Sequence, residues 1–359
     1  MLSDEKILRI VKDNILPQAQ RVNLAKLKGD ASDRSYFRVM INNGETSLIL
    51  MHLARAENSS FPLAANVSEE GFSEEKVTIS NIPVKELPYI NISEYLYKCN
   101  VGVPCLFYYD REDGILFLED LGDMTLAQVL KGSNKDECIR YYQMAIDELL
   151  RIQIDGTRRR DDSCIAFARA FDISLLMWEF DHFLEYGIEE YYQIKIKDKE
   201  RGKIREIFLK ISESVSSGES FFTHRDYHSR NLMVQDGRIR VIDFQDALLG
   251  PPTYDLASLL RDSYTILDDE IIDELIEYYL RESVKMGGFK SDENRFRRLF
   301  DFISIQRNLK AAGRFVYISR VKGNDSYLKY IPNTLGYVKK NLARYNELEE
   351  LRKLLEKYI

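Results

Sequence analysis

Phe221-Phe222-Thr223-His224-Arg225-Asp226-Tyr227-His228-Ser229-Arg230-Asn231-Leu232-Met233-Val234, closed by Val241-Ile242-Asp243-Phe244, decides the reading of this chain. Apolar runs enter and leave the stretch, so it reads as a loop held between short buried strands. Gln235-Asp236-Gly237-Arg238 reads as the hairpin that turns the chain back. The polar residues gathered this way are a carboxylate, an amide and a second carboxylate. Phosphoryl transfer to a hydroxyl needs that set: one acid to orient the alcohol and take its proton, and oxygen ligands that hold Mg2+ on nucleotide phosphates. On this reading Asp226 is the base, and Asn231 and Asp243 are the metal ligands. His224 stands two residues before Asp226, so an imidazole tucked inward braces the loop while the carboxylate faces outward.

The ordered set resembles the His-x-Asp-(x)4-Asn catalytic loop and metal-binding Asp of protein-kinase-like enzymes. More closely it resembles the aminoglycoside phosphotransferase and choline kinase branch, in which the metal Asp lies in Ile-Asp-Phe or Ile-Asp-Trp. The resemblance implies an α+β, bilobal protein-kinase-like fold with a small antiparallel-sheet lobe and a larger, mainly helical lobe.

Composition is that of an ordinary soluble globular protein. The chain has 359 residues, 45% of them hydrophobic and 30% charged, so two lobes are the natural expectation. A net charge of -7 argues against a nucleic-acid partner. No window holds the roughly 18 apolar residues of a spanning helix, which argues against membrane insertion. The start Met1-Leu2-Ser3-Asp4-Glu5-Lys6 is too polar for a signal peptide, so the cytoplasm is the expected compartment. Cys99, Cys105, Cys138 and Cys164 show no metal-binding spacing and read as free buried thiols.

Along the chain, Ser3 caps an amphipathic helix that ends before Pro17. Leu24 to Lys28, Arg34 to Ile41 and Thr46 to Met51 read as three strands, the last two joined by the hairpin signal Asn42-Asn43-Gly44. The turn before Arg34 would lie over nucleotide phosphates, where Ser32, Arg34 and Ser35 meet phosphate oxygens; an ordinary polar hairpin is the other reading. Kinase-like enzymes carry a lysine on the third strand, and here Met51 stands near that place. Either Arg34, Arg38 or Arg55 substitutes, or phosphate binding is weak and the chain is a pseudokinase. Residues 54 to 86 read as a long polar insert. Glu94, on a short helix at 91 to 98, reads as a surface acid.

Leu118-Glu119-Asp120-Leu121-Gly122-Asp123 breaks an apolar strand into acids and a glycine before a helix. That marks a crossing between lobes, with residues 1–118 as the first lobe, 119–123 as a hinge and 124–359 as the second. In the resembled family adenine bonds to backbone here, which points to Glu119 and Leu121. The second lobe reads as helices at Lys135 to Ile154, Phe171 to Phe183 and Ile204 to Ile211, with Trp178 in the core. Asp255, in the first turn of a helix capped by Thr253, reads as a brace for the catalytic loop.

Gly29-Asp30-Ala31-Ser32, Leu118 to Asp123, residues 224 to 233, Ile242-Asp243-Phe244-Gln245-Asp246 and Gln306-Arg307-Asn308-Leu309 together resemble the bacterial anomeric kinases of cell-wall amino sugars. Those enzymes phosphorylate N-acetylmuramate and N-acetylglucosamine in peptidoglycan recycling. The resemblance implies ATP and Mg2+ as cofactors and a small amino sugar as partner. It implies substrate contacts from Arg230, Gln245, Asp246, Arg307 and Asn308, although those on the late helix read equally as surface residues. An aminoglycoside or choline kinase stays open as the alternative, and both monomer and homodimer stay open as assemblies.

Overall fold

The computed structural model describes residues 3–27, 34–53, 86–288 and 292–359. Packing divides the chain into two compact units. One comprises Met1–Asn81 with Val103–Gly122, the other Ile82–Gly102 with Asp123–Ile359. Ser32, Arg55, the turn before Arg34 and the insert from 54 to 85 lie outside the described residues.

In the first unit five strands form one antiparallel sheet: β1 (Val22–Lys26), β2 (Ser35–Ile41), β3 (Thr46–His52), β4 (Leu106–Asp110) and β5 (Ile115–Glu119). Their spatial order is β1-β2-β3-β5-β4. Four strand ends differ from expectation, since β1 runs from Val22 to Lys26, β2 starts at Ser35 and β3 ends at His52. Between β2 and β3, Asn42 (φ 47°), Asn43 (φ 65°) and Gly44 (φ 96°) turn through the left-handed region. Asn and Gly are the residues that tolerate it, which is why the hairpin forms here. The helix Asp4–Asn14, whose first turn Ser3 caps through Lys6 N–H, drives Ile7 and Val11 against Val39, Leu50 and Phe117. That burial closes one face of the sheet.

Met51 has no exposed surface and lies opposite Tyr36 and Leu116. Its position on β3 is a core position, and an apolar side chain is what such a site takes. Among the arginines weighed as a substitute cation, Arg38 forms a two-pronged ion pair with Asp120, Nε to Oδ2 at 2.6 Å and Nη2 to Oδ1 at 3.1 Å.

The second unit is mainly helical, and helix Pro88–Lys98 packs within it although the chain passes on through the first sheet. A boundary drawn along the sequence at residue 118 therefore does not follow the packing. The helix Lys135–Leu150 begins at a reciprocal cap between Asn134 and Glu137 and continues through a π-helical turn, Arg151–Asp155. Helix Ile173–His182 turns Leu176, Glu179 and Phe180 inward. Trp178 falls on the other face, 41% exposed and stacked on His182, and is not core. Of the free thiols Cys99 and Cys164 are buried, whereas Cys105 is exposed, which corrects its reading as buried.

The 30-residue helix Glu293–Lys322 runs through this unit. A Cβ at Gly313 would lie 2.9 Å from Phe183 Cα, so only glycine lets this helix approach the segment Phe183–Glu190 backbone to backbone. Two small sheets complete the unit. One pairs β6 (Phe221–Thr223) with β9 (Leu248–Gly250), the other β7 (Leu232–Gln235) with β8 (Arg238–Val241). Asp236 (φ 49°) and Gly237 (φ 68°) join β7 to β8 as a two-residue turn with both φ values positive. No helix among the described residues is long and apolar enough to cross a membrane.

Candidate active site

The loop between β6 and β7 is held from below by two buried groups. Asp255 accepts the backbone N–H of His224 at 2.6 Å and of Arg225 at 2.9 Å. Arg225 has φ +81°, a left-handed conformation rare for a long side chain, and the two bonds to Asp255 hold it there. Burial pushes the Asp255 carboxyl up to about 7, against the pull of those N–H groups. His224 is buried. Its Nδ1 accepts the Asp226 N–H at 3.3 Å while Nε2 reaches the Ile242 carbonyl at 3.0 Å. Those two partners select the neutral tautomer with its proton on Nε2. Burial, outweighing the nearby Asp226 charge, pushes the imidazole down to about 4.

The same loop presents the polar triad. Asn231 Nδ2 donates to the Asp226 carbonyl at 3.0 Å and lies 3.4 Å from Asp243 Oδ2. Gln245 Nε2 donates to Asp243 Oδ1 at 2.8 Å. The β7–β8 hairpin thus returns Asp243 beside Asn231, and Asp243 (φ 65°) is turned outward and exposed. With its amide nitrogen committed to the loop, Asn231 keeps its carbonyl oxygen for another partner. A carboxylate beside an amide oxygen is a hard-oxygen pair of the kind Mg2+ takes when phosphates and water complete its shell. Among the described residues no cluster of three His, Cys, Asp or Glu is placed to hold a metal by itself.

Asp226 keeps 39% of its side chain exposed. Burial of the remainder opposes its charge, but Lys310, Arg307 and Arg225 outweigh that and hold the carboxyl well below the usual range. Arg307 Nη2 is 3.8 Å from Asp226 Oδ1. The other two cations meet at Glu179, which is wholly buried: Lys310 Nζ at 2.7 Å and Arg225 Nη2 at 3.4 Å, with Gln306 Nε2 donating at 2.7 Å. Sequence reasoning missed Glu179, Lys310 and Gln306. The available signal was that Glu179 shares a helical face with Leu176 and Phe180, an acid at a core-facing position.

The remaining candidates separate. Asp246 is half-buried and its charge acts on His224, Arg225 and Arg169. Arg230 lays its guanidinium over Tyr264 at 4.6 Å and Tyr327 at 5.6 Å. Asn308 is buried with its amide directed to the Thr334 carbonyl at 3.5 Å, so it ties two helices together. In the first unit the Glu119 carboxylate accepts Cys105 N–H at 3.1 Å, Leu121 is buried, and Arg34 and Ser35 are half-buried. Glu94 is exposed, on the helix Pro88–Lys98.

Comparison with known proteins adds to this geometry. The profile of the phosphotransferase enzyme family (APH) matches residues 24–289. An N-acetylmuramate/N-acetylglucosamine kinase of Neisseria meningitidis is 30% identical over 75% of this chain and 78% of its own length. One from Pseudomonas putida is 26% identical over 98% of this chain and 93% of its own. A choline/ethanolamine kinase family protein of Mesorhizobium loti superposes with a TM-score of 0.60 at 11% identity, covering 98% and 99% of the two chains. That last likeness speaks for the fold, which is protein-kinase-like: an antiparallel sheet early in the chain and a mainly helical remainder.

Proposed function

We propose that this chain, which belongs to the phosphotransferase enzyme family, transfers the γ-phosphate of ATP to the anomeric hydroxyl of an amino sugar of the N-acetylmuramate/N-acetylglucosamine kind, the two sugars that its relatives' names carry. The observation that carries the reading is the convergence of Asp226, Asn231 and Asp243 on one loop and hairpin, with Asn231 Nδ2 within 3.4 Å of Asp243 Oδ2. Peptidoglycan recycling in the cytoplasm is the setting such a substrate implies.

Each residue then has a task. Asp226 is ionised throughout the neutral range, since its cationic neighbours outweigh burial. It accepts the hydrogen bond of the sugar hydroxyl and aims the oxygen at the phosphorus. A carboxylate held so acidic is a weak base, which suits a loose transition state in which the proton leaves late. The anomeric hydroxyl is more acidic than other sugar hydroxyls, so little basicity is needed and positioning carries most of the rate. Asn231 and Asp243 would hold Mg2+, which supplies charge neutralisation to the phosphates. His224 and Asp255 keep the loop in its strained shape. Ser32, Arg34, Ser35 and the backbone of Glu119 and Leu121 are the nucleotide contacts in this reading, and Arg230, Gln245, Asp246 and Arg307 the acceptor contacts.

A choline or aminoglycoside acceptor is the second reading, because solved proteins of those kinds share the fold. The cations Lys310, Arg307 and Arg225 beside Asp226 weigh against a positively charged acceptor. ATP turnover against amino sugars, choline and aminocyclitols, with the product phosphate located by NMR, tests the reading. Phosphate found only on choline or an aminocyclitol would overturn it.

A further inference from the structure

Arg307 stands apart from the other cations around Asp226. Arg225 and Lys310 are paired to the buried carboxylate of Glu179. Arg307 has no carboxylate at hydrogen-bond distance among the described residues; its Nε donates to Ser258 Oγ, and Asp226 Oδ1 is 3.8 Å from its Nη2. Its side chain is 9% exposed, yet Nη2 is buried without a hydrogen-bond partner. A buried guanidinium nitrogen left unpaired is costly, and folds keep such groups where a ligand completes them. Ser258 fixes one edge of the fork, which presents the other beside the acid that orients the acceptor.

We propose that Arg307 is a specificity-determining residue that binds a carboxylate carried by the phosphate acceptor through its Nη edge, so that an acidic amino sugar is preferred to its neutral counterpart. This rests on the amino-sugar reading above. A planar guanidinium pairs with a carboxylate by two parallel hydrogen bonds, a geometry that a neutral hydroxyl cannot reproduce. The acceptor's acid completes the Nη2 that Asp226, at 3.8 Å, leaves unsatisfied. Because this contact is present before and during transfer alike, it acts on KM more than on kcat.

The test uses the full chain with ATP and three acceptors: N-acetylmuramate, its carboxamide, and N-acetylglucosamine. The parent should prefer the acid over the carboxamide by about tenfold or more in kcat/KM, mainly through KM, the scale of a charge-assisted hydrogen bond. Arg307→Gln should bring that ratio to within about threefold, and Arg307→Lys should restore part of it, since a point charge replaces the fork. A parent that phosphorylates all three with no preference for the acid overturns this proposal and leaves the kinase reading standing. A parent inactive on all three overturns both. If Arg307→Gln lowers kcat equally for every acceptor with KM unchanged, Arg307 serves the transferring phosphoryl group and the proposal falls. Should Arg307→Gln not fold, the acid-to-carboxamide ratio of the parent decides.

Discussion

The backbone N–H of Asp226 donates to Nδ1 of His224 at 3.3 Å, and the far nitrogen of the same ring reaches the Ile242 carbonyl at 3.0 Å, one residue before Asp243. One neutral imidazole therefore spans the two segments that carry Asp226 and Asp243. Its value is set by burial to about 4, below the ordinary value near 6.5. A histidine depressed in the folded state contributes stability that is complete above about pH 6.5 and is lost as pH falls towards 4, because the unfolded chain takes up the proton first. Asp255, raised to about 7, acts with the opposite sign across the same window, so the clean quantity is a difference. Urea unfolding of the parent and His224→Gln at pH 7 and pH 5 should show the cost of the substitution shrinking by up to about 2 kcal/mol at the lower pH. A cost equal at both values would mean that His224 is not neutral in the folded chain.

Asp226→Asn keeps shape and removes the charge that, in the proposed mechanism, aims the hydroxyl. A positioned acid or base typically contributes about 10²- to 10⁴-fold, so kcat should fall by that order while nucleotide affinity and the melting temperature hold. Single-turnover assays with a parallel ATP-binding titration check it. Parent-like turnover would remove Asp226 from the mechanism.

What could be read in the chain, and what could not, follows the range of the interactions. The β7–β8 hairpin was legible because Asp236-Gly237 between apolar strands fixes a two-residue turn locally. The grouping of His224, Asp226, Asn231 and Asp243 was legible because the bonds that join those four segments fall within one short stretch, although Asp255 braces it from a later helix. Glu179 was not, since its partner Gln306 is 127 residues away and periodicity tells which face of a helix is inward, never what that face meets. Arg307 and Asn308 could not be told apart for a related reason. Consecutive residues on a helix point about 100° apart, so Arg307 faces Asp226 while Asn308 faces the helix Ile331–Arg344. Trp178 reads as core because apolar Leu175, Leu176 and Phe180 surround it in sequence, but it lies off the inward face that Leu176 and Phe180 define.

Asn231 and Asp243 meet at 3.4 Å across the hairpin, and each offers one oxygen to a cation in the proposed mechanism. Asp243→Asn removes the charge and Asn231→Ala removes the oxygen. Both should raise the Mg2+ concentration needed for half-maximal turnover by about tenfold or more, with the charge-removing change the larger. A Mg2+ titration of initial rate at saturating ATP reads this directly. An unchanged requirement in both variants would place the metal elsewhere.

Glu179 gives the sharpest stability prediction, because the carboxylate is wholly buried and holds Lys310 at 2.7 Å and Arg225 at 3.4 Å. Burial disfavours its charge, but Lys310 and Arg225 outweigh this and keep it ionised, with its carboxyl below the usual value. Removing one member of a buried ionic cluster leaves the others uncompensated, at a cost of about 3–5 kcal/mol. Glu179→Ala should therefore lower the denaturation midpoint strongly, and Glu179→Gln, which keeps the hydrogen bond to Gln306 but not the charge, by nearly as much. Substituting Lys310→Met together with Glu179→Gln removes a charge of each sign and should recover part of the loss, since the pair desolvates less than the lone cation. If the double variant is as unstable as the sum of the two single ones, the two residues are not coupled.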